Sequence, residues 1–274
     1  MPELPEVETV KRSLVKLTLG RRIKNLKVLR KGYVHTGYSL RSKAPGSIIE
    51  SVERKGKIMA IHLSSGIVML HHLGMTGRLL LMPSKSELVK HTHIRIFFDD
   101  EELELRQWDP RRFGYFAMLG EDDLADFPSW KNLGIDPFDL RSAQFIEMLQ
   151  NRKQAIKTFL LDQRRIAGIG NIYADESLFR TNIHPARRAE DVDHDEAKQL
   201  LRNIKQVLKE SIAAGGSSTS DYQKLDGTFG KFQHKHRVYR RTGQPCKTCK
   251  AEIQRTVING RSSHFCPQCQ LESD

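Results

Sequence analysis

Four cysteines near the end of the chain carry the most specific chemical spacing, Cys246-x2-Cys249-x16-Cys266-x2-Cys269. Two short Cys-x2-Cys knuckles separated this way supply the four thiolates of one tetrahedral zinc site. Between them Asn259-Gly260 is a two-residue hairpin turn joining 253–258 to 261–265. With every ligand position filled by protein, the Zn2+ has no open site for water, so its role is structural. Residues 231–261 hold nine Lys or Arg and one acid, Glu252. Such a face suits phosphate contacts that are salt-sensitive and largely blind to base sequence.

Two weaker signals lie elsewhere. Gly168-Ile169-Gly170-Asn171-Ile172-Tyr173 opens a helical stretch. Glycines there permit close backbone approach, and a helix start offers free N–H groups to a phosphate, although the spacing is not that of a P-loop. The second signal is Met1-Pro2-Glu3. Methionine is readily removed before a small second residue, which would leave the secondary amine of Pro2 as an α-amino group. With a pKa of about 7.7–8.0 against about 10.4 for lysine, about a tenth of such an amine is free base at pH 7. It is then a usable nucleophile, and attack on a sugar C1′ would form an iminium, a permanent positive charge able to draw electrons from the sugar. Taken alone, Met-Pro-Glu is a common start with no such meaning.

The elements that must position these groups follow from composition and periodicity. The chain has 274 residues, a net charge of +12 and a pI near 9.6, which favours a polyanionic partner, nucleic acid ahead of an anionic membrane surface. The charged first twenty residues lack a secretory h-region, and no apolar run is long enough to span a bilayer. A cytoplasmic address follows, in which cysteines serve metals more often than disulfides. Val7, Val10, Leu14 and Leu17 fall at helical spacing. From 24 to 118 short apolar runs alternate with turns, as in 58–63 and 67–70 about Ser64-Ser65-Gly66, and 94–98 and 103–105 about 99–101. This predicts a β-sandwich. Helical signals cover 143–151, 155–161, 173–180 and 194–214. The expected fold is α+β and multidomain: an N-terminal β-sandwich with an N-terminal helix over 1–130, a linker over 131–142, a helical domain over 143–235 and a zinc-finger hairpin over 236–274.

The order of motifs resembles one family. Pro2-Glu3-Leu4-Pro5-Glu6-Val7-Glu8-Thr9 is similar to the opening of formamidopyrimidine-DNA glycosylases. So, in sequence, are Arg54-Lys55-Gly56-Lys57, His72-Leu73-Gly74-Met75-Thr76-Gly77, Lys90-His91-Thr92-His93, Asp109-Pro110-Arg111-Arg112-Phe113-Gly114, the segment 168–176 and the terminal finger. The resemblance runs from residue 2 to about 270 and makes the helical domain a helix-two-turn-helix module, with DNA expected in a basic cleft between the domains.

By that resemblance Pro2 displaces the damaged base and forms a Schiff base, Glu3 is the general acid or base at the sugar, and Glu6 is a second acidic residue near the site. Lys57, expected on a strand after the turn at Gly56, assists β-elimination and holds phosphate. Arg261, just after the finger turn, is linked to δ-elimination and phosphate grip. An extruded base leaves a gap that the enzyme must fill, and Met75, Arg111 and Phe113 resemble the family's filling residues. His91, Arg111, Arg152, Lys157 and Asn171 are the corresponding DNA-backbone candidates.

The implied enzyme is a bifunctional DNA glycosylase and abasic-site lyase of base-excision repair, monomeric and nucleoid-associated in a bacterial cytoplasm. Its expected substrates are 8-oxoguanine opposite cytosine and formamidopyrimidines, and β,δ-elimination follows excision. Residues 215–232 resemble the base-recognition loop at Gly216 and Asp226-Gly227, but depart from the family in the middle and leave lesion preference open. Two alternatives stand beside this reading. One is an endonuclease VIII-like glycosylase for oxidised pyrimidines, against which Leu4 argues; the other is a catalytically silent zinc-finger DNA-binding protein.

Overall fold

The computed structural model describes residues 2–272. Packing divides them into two units. One holds the described residues through Asn132 together with Ala214–Lys231, and the other holds Leu133–Ala213 together with the described residues from Phe232 onward.

In the first unit, helix α1 (Leu4–Thr18) begins with proline in its first turn, where a missing N–H costs nothing. Its apolar face, Val7, Val10 and Leu14, is fully buried. Eight of the nine strands are β1 (Ile23–Val28), β3 (Ile49–Lys55), β4 (Ile58–Leu63), β5 (Ile67–His72), β6 (Arg78–Pro83), β7 (Thr92–Phe98), β8 (Leu103–Trp108) and β9 (Tyr115–Gly120); the short β2 (Val34–Thr36) completes them. One sheet has the order β1-β7-β8-β6 and the other β2-β9-β5-β4-β3. Pairing is antiparallel except between β2 and β9. Ile23, Ile94, Ile96 and Phe98 from the first sheet share one core with Met59, Ile61, Met69 and Phe116 from the second and with the α1 stripe. The alternating runs are thus a sandwich closed over by a helix.

In the second unit, α3 (Ser142–Leu149), α4 (Ile156–Leu161), α5 (Asn171–Arg180) and α6 (His194–Ala213) follow the helical signals to within a residue or two. Strands β10 (Gln254–Ile258) and β11 (Arg261–Phe265) form the expected hairpin. Asn259 and Gly260, with φ of 45° and 70°, supply its left-handed turn.

Two segments differ from their sequence-based placement. The stretch 131–142, expected as a linker, is largely packed: α2 (Pro128–Lys131) buries Trp130, Leu140 is fully buried, and Lys205 Nζ donates to the carbonyls of Phe138 and Leu140. Gly134 meets the 164–165 backbone so closely that a Cβ would lie 2.2 Å from the Arg165 carbonyl oxygen. No periodicity marks such a segment, because irregular backbone contacts hold it. The stretch Ala214–Lys231, placed by its position after α6 in the helical domain, packs with the first unit instead.

Candidate active site and zinc finger

Pro2 is buried just ahead of α1, and Glu3, in extended backbone, is the helix N-cap. Glu3 and Glu6 form a reciprocal capping box, in which the Glu3 N–H donates to Glu6 Oε2 at 2.8 Å. The other Glu6 oxygen accepts the Ser217 N–H at 2.7 Å. A single buried carboxylate therefore holds both the backbone beside Pro2 and the start of the 214–231 segment. Gly216, with φ of 85°, is required there: a Cβ would sit 3.0 Å from Glu6 Oε1 and 2.8 Å from the Tyr222 ring. The segment is docked further by the Leu81 N–H on the Leu225 carbonyl (2.8 Å) and by Arg78 on Gln223 Oε1 (2.6 Å).

Lys57 lies in the two-residue turn between β3 and β4, where Lys55 pairs with Ile58 and Gly56 takes a φ of 56°. It belongs to the turn itself, one position earlier than the expected strand. Arg54 ties this turn to α1, donating to the Gly56 carbonyl at 2.9 Å and to Glu8 Oε2 at 3.0 Å. His72 faces Ile58 across β4 and β5 and stacks on Tyr115. Burial, and then the neighbouring Lys57 charge, push its imidazole down to about 4, so it is neutral beside that lysine at pH 7.

Met75 and Phe113, whose residue types suit a core, stand 38% and 52% exposed on turns. The guanidinium of Arg111 lies 4.5 Å from the Phe113 ring centroid. His91 is exposed in left-handed backbone with φ of 73°.

In the second unit, Arg261 and Arg152 are exposed. Lys157 is fully buried, with its Nζ 2.6 Å from Asp175 Oδ1 and donating to the Ser262 carbonyl. Asn171 Nδ2, at the first position of α5, donates to the same carbonyl at 2.9 Å. Both residues were expected at the DNA backbone; here they grip the finger strand one residue beyond Arg261. Asp175 also accepts the His264 N–H at 3.0 Å. Buried Glu176 accepts three successive N–H groups, from Arg237, Val238 and Tyr239. Burial pushes its carboxyl above the usual range against the opposing effect of those amides.

The Sγ atoms of Cys246, Cys249, Cys266 and Cys269 lie within 4.8 Å of one another. Cys249 Sγ lies 3.3 Å from Cys266 Sγ, and Cys246 Sγ 4.0 Å from Cys269 Sγ. A zinc tetrathiolate with bonds of about 2.3 Å has tetrahedral edges of about 3.8 Å, so the four residues fit one structural Zn2+.

Comparison with known proteins matches three family models along the chain: the formamidopyrimidine-DNA glycosylase N-terminal domain over residues 1–116, the H2TH domain of the same enzymes over 133–223, and the zinc finger found in FPG and IleRS over 243–271. A formamidopyrimidine-DNA glycosylase from Solibacter usitatus is 44% identical, with 98% of this chain and 99% of the relative covered. The chain belongs to the formamidopyrimidine-DNA glycosylase family. Another such enzyme, from Desulfitobacterium hafniense, is 41% identical over 99% of this chain and 100% of its own. A Lactococcus lactis FPG mutant in complex with Fapy-dG-containing DNA superposes with a TM-score of 0.93 at 34% identity, covering 99% of this chain and 100% of that one. A MutM complex with carbocyclic 8-oxo-G-containing DNA gives 0.91 at 34%, with the same coverage.

Within this glycosylase fold, residue-by-residue reading of the sequence left His72, Ser217 and Tyr222 without a role. His72 stood inside a quoted motif, and the β-register beside Lys57 is the signal that marks it. Nothing in the local pattern of Ser217 or Tyr222 marks either one, because their partner, Glu6, lies more than two hundred positions away.

Proposed function

We propose that this protein removes oxidised purines, 8-oxoguanine and formamidopyrimidines, from duplex DNA and then cuts the strand at the resulting abasic site. The observation that supports this most directly is the pairing of Pro2 with Glu3 and Glu6 at the buried start of α1. Once Met1, which lies outside the described residues, is removed, the Pro2 nitrogen attacks C1′ and the bond to the base breaks. Glu3 protonates the ring oxygen as the sugar opens, leaving an iminium. Loss of a C2′ proton expels the 3′ phosphate, and loss of a C4′ proton expels the 5′ phosphate. Lys57 serves the first elimination and Arg261 the second; hydrolysis of the iminium frees the enzyme. Met75, Arg111 and Phe113 fill the gap left by the extruded base. His91, Arg111 and Arg152 are phosphate contacts, with Lys157 and Asn171 acting through the finger strand they hold. The protein works as a monomer on bacterial chromosomal DNA, in keeping with the DNA-bound structures of its relatives.

Borohydride reduction tests the central step. Native protein with an 8-oxoguanine duplex should give a covalent adduct, and protein that retains Met1 should give none. Absence of the adduct with processed protein, or equal trapping by the unprocessed form, overturns the Schiff base.

A further inference from the structure

Asp109 is fully buried, and nothing above gives it a task. Its carboxylate gathers three uncharged donors from three places. Oδ1 accepts the Thr76 hydroxyl at 2.6 Å; Oδ2 accepts the Gly114 N–H at 2.8 Å and the Tyr33 hydroxyl at 3.2 Å. Its own backbone is fixed as well, with the carbonyl 2.8 Å from His93 Nε2 and the N–H on the His91 carbonyl at 3.1 Å. Tyr33 is a dependable donor, since burial and the adjacent carboxylate raise its phenol far above neutrality. Gln107 steadies Tyr33 from the other side at 3.0 Å and reaches back to buried His71 at 2.7 Å.

Thr76 directly follows Met75, and Gly114 directly follows Phe113, so the carboxylate joins the two turns that present the gap-filling side chains. The turns touch through their backbones. A Cβ on Gly74 would lie 2.4 Å from the Gly114 nitrogen, and one on Gly114 would lie 2.3 Å from the His72 carbonyl oxygen. Contact that close demands glycines, which weaken each turn by themselves. A buried acceptor with a donor from each turn supplies what the glycines give up. Burying a carboxylate without its hydrogen bonds is costly, so both turns are held together or the site loses stability.

We infer that Asp109 is a positioning residue that locks the Met75 turn and the 111–113 turn into one preformed wedge, ready to enter the stack as the damaged base leaves. This rests on the proposed glycosylase reading. An ordered wedge avoids the entropy of assembling two loops during extrusion, a step that only intact duplex requires. An abasic sugar in a single strand needs no wedge.

The test uses full-length Asp109→Asn and Thr76→Val. The first keeps shape but removes an acceptor; the second removes one donor and leaves the carboxylate. Each is assayed for single-turnover release of 8-oxoguanine from duplex, for fluorescence of 2-aminopurine opposite the lesion, and for borohydride trapping on a single-stranded abasic oligonucleotide. Release should fall about tenfold or more for Asp109→Asn and several-fold for Thr76→Val, with a matching loss of the fluorescence change, while trapping stays within about twofold. In a Met75→Ala background each substitution should cost much less, since the wedge it positions is already blunted. Duplex release within twofold of native for a folded Thr76→Val, a parallel fall in trapping, or full additivity with Met75→Ala overturns the inference. Failure of the native protein to trap on either substrate overturns the glycosylase reading instead.

Discussion

The start of α1 and the start of α5 solve the same problem with different electrostatics. Each helix uses side chains in its first turns to hold a distant turn of the same unit. At α1, Glu6 accepts two neutral backbone N–H groups, one beside Pro2 and one from Ser217. At α5, Asn171 and Asp175 work with Lys157 in a fully buried ion pair that grips β11 through the Ser262 carbonyl, and four thiolates close the hairpin. The 214–231 segment is therefore held by hydrogen bonds together with the burial of Tyr222 and Leu225 in the core of the first unit. The finger is held by interactions whose loss leaves charge or a metal site uncompensated.

The contrast can be broken from its strong end first. Stripping Zn2+ with a chelator, or Cys249→Ser, should unfold the finger and abolish its part of DNA binding, since zinc supplies about 10–16 kcal/mol of apparent folding energy in isolated zinc-finger peptides. Zinc content and thermal unfolding of the full chain report this; a hairpin that stays protected from hydrogen exchange without metal would refute it. Lys157→Met removes one partner of the buried pair and should destabilise the second unit by about 3–5 kcal/mol in denaturant unfolding.

The next largest effect is pH-dependent. Burial holds His71, in the first unit, down to about 4 from 6.5. The unfolded chain then binds a proton below 6.5 that the folded chain refuses until about 4, so stability is complete above 6.5 and declines as pH falls through that window, by about 3 kcal/mol for a fully buried site. His71→Gln should remove this share of the slope in urea titrations, while buried His72, also held down to about 4, keeps its own. Glu6→Gln should cost least, about 1–3 kcal/mol, because an amide can still accept one of the two N–H groups. Its mark should be faster hydrogen exchange at Ser217; unchanged exchange there would remove the asymmetry between the two helix starts.

Local rules reached far into this molecule. The α1 stripe, the β4–β5 and β7–β8 hairpins, the Asn259-Gly260 turn and the cysteine knuckles all depend on residues a few positions apart, where periodicity and turn chemistry act directly. The packing of 131–142 did not show, because Gly134 and Leu140 are held by backbone contacts without period. Lys157, a DNA-backbone candidate by resemblance, lies buried against Asp175, a placement that no local pattern marks.

By itself, the sequence determined the sandwich and helices, the zinc ligands, and the resemblance that singled out Pro2, Glu3, Lys57 and Arg261. Only the tertiary structure decided that Glu6 secures Ser217, that Asp109 joins the turns of Met75 and Phe113, and that 214–231 packs with the first unit. The physical reason is range. Hydrophobic period and turn preference act within about a dozen residues, whereas a buried carboxylate takes its donors from wherever folding brings an N–H or hydroxyl within reach.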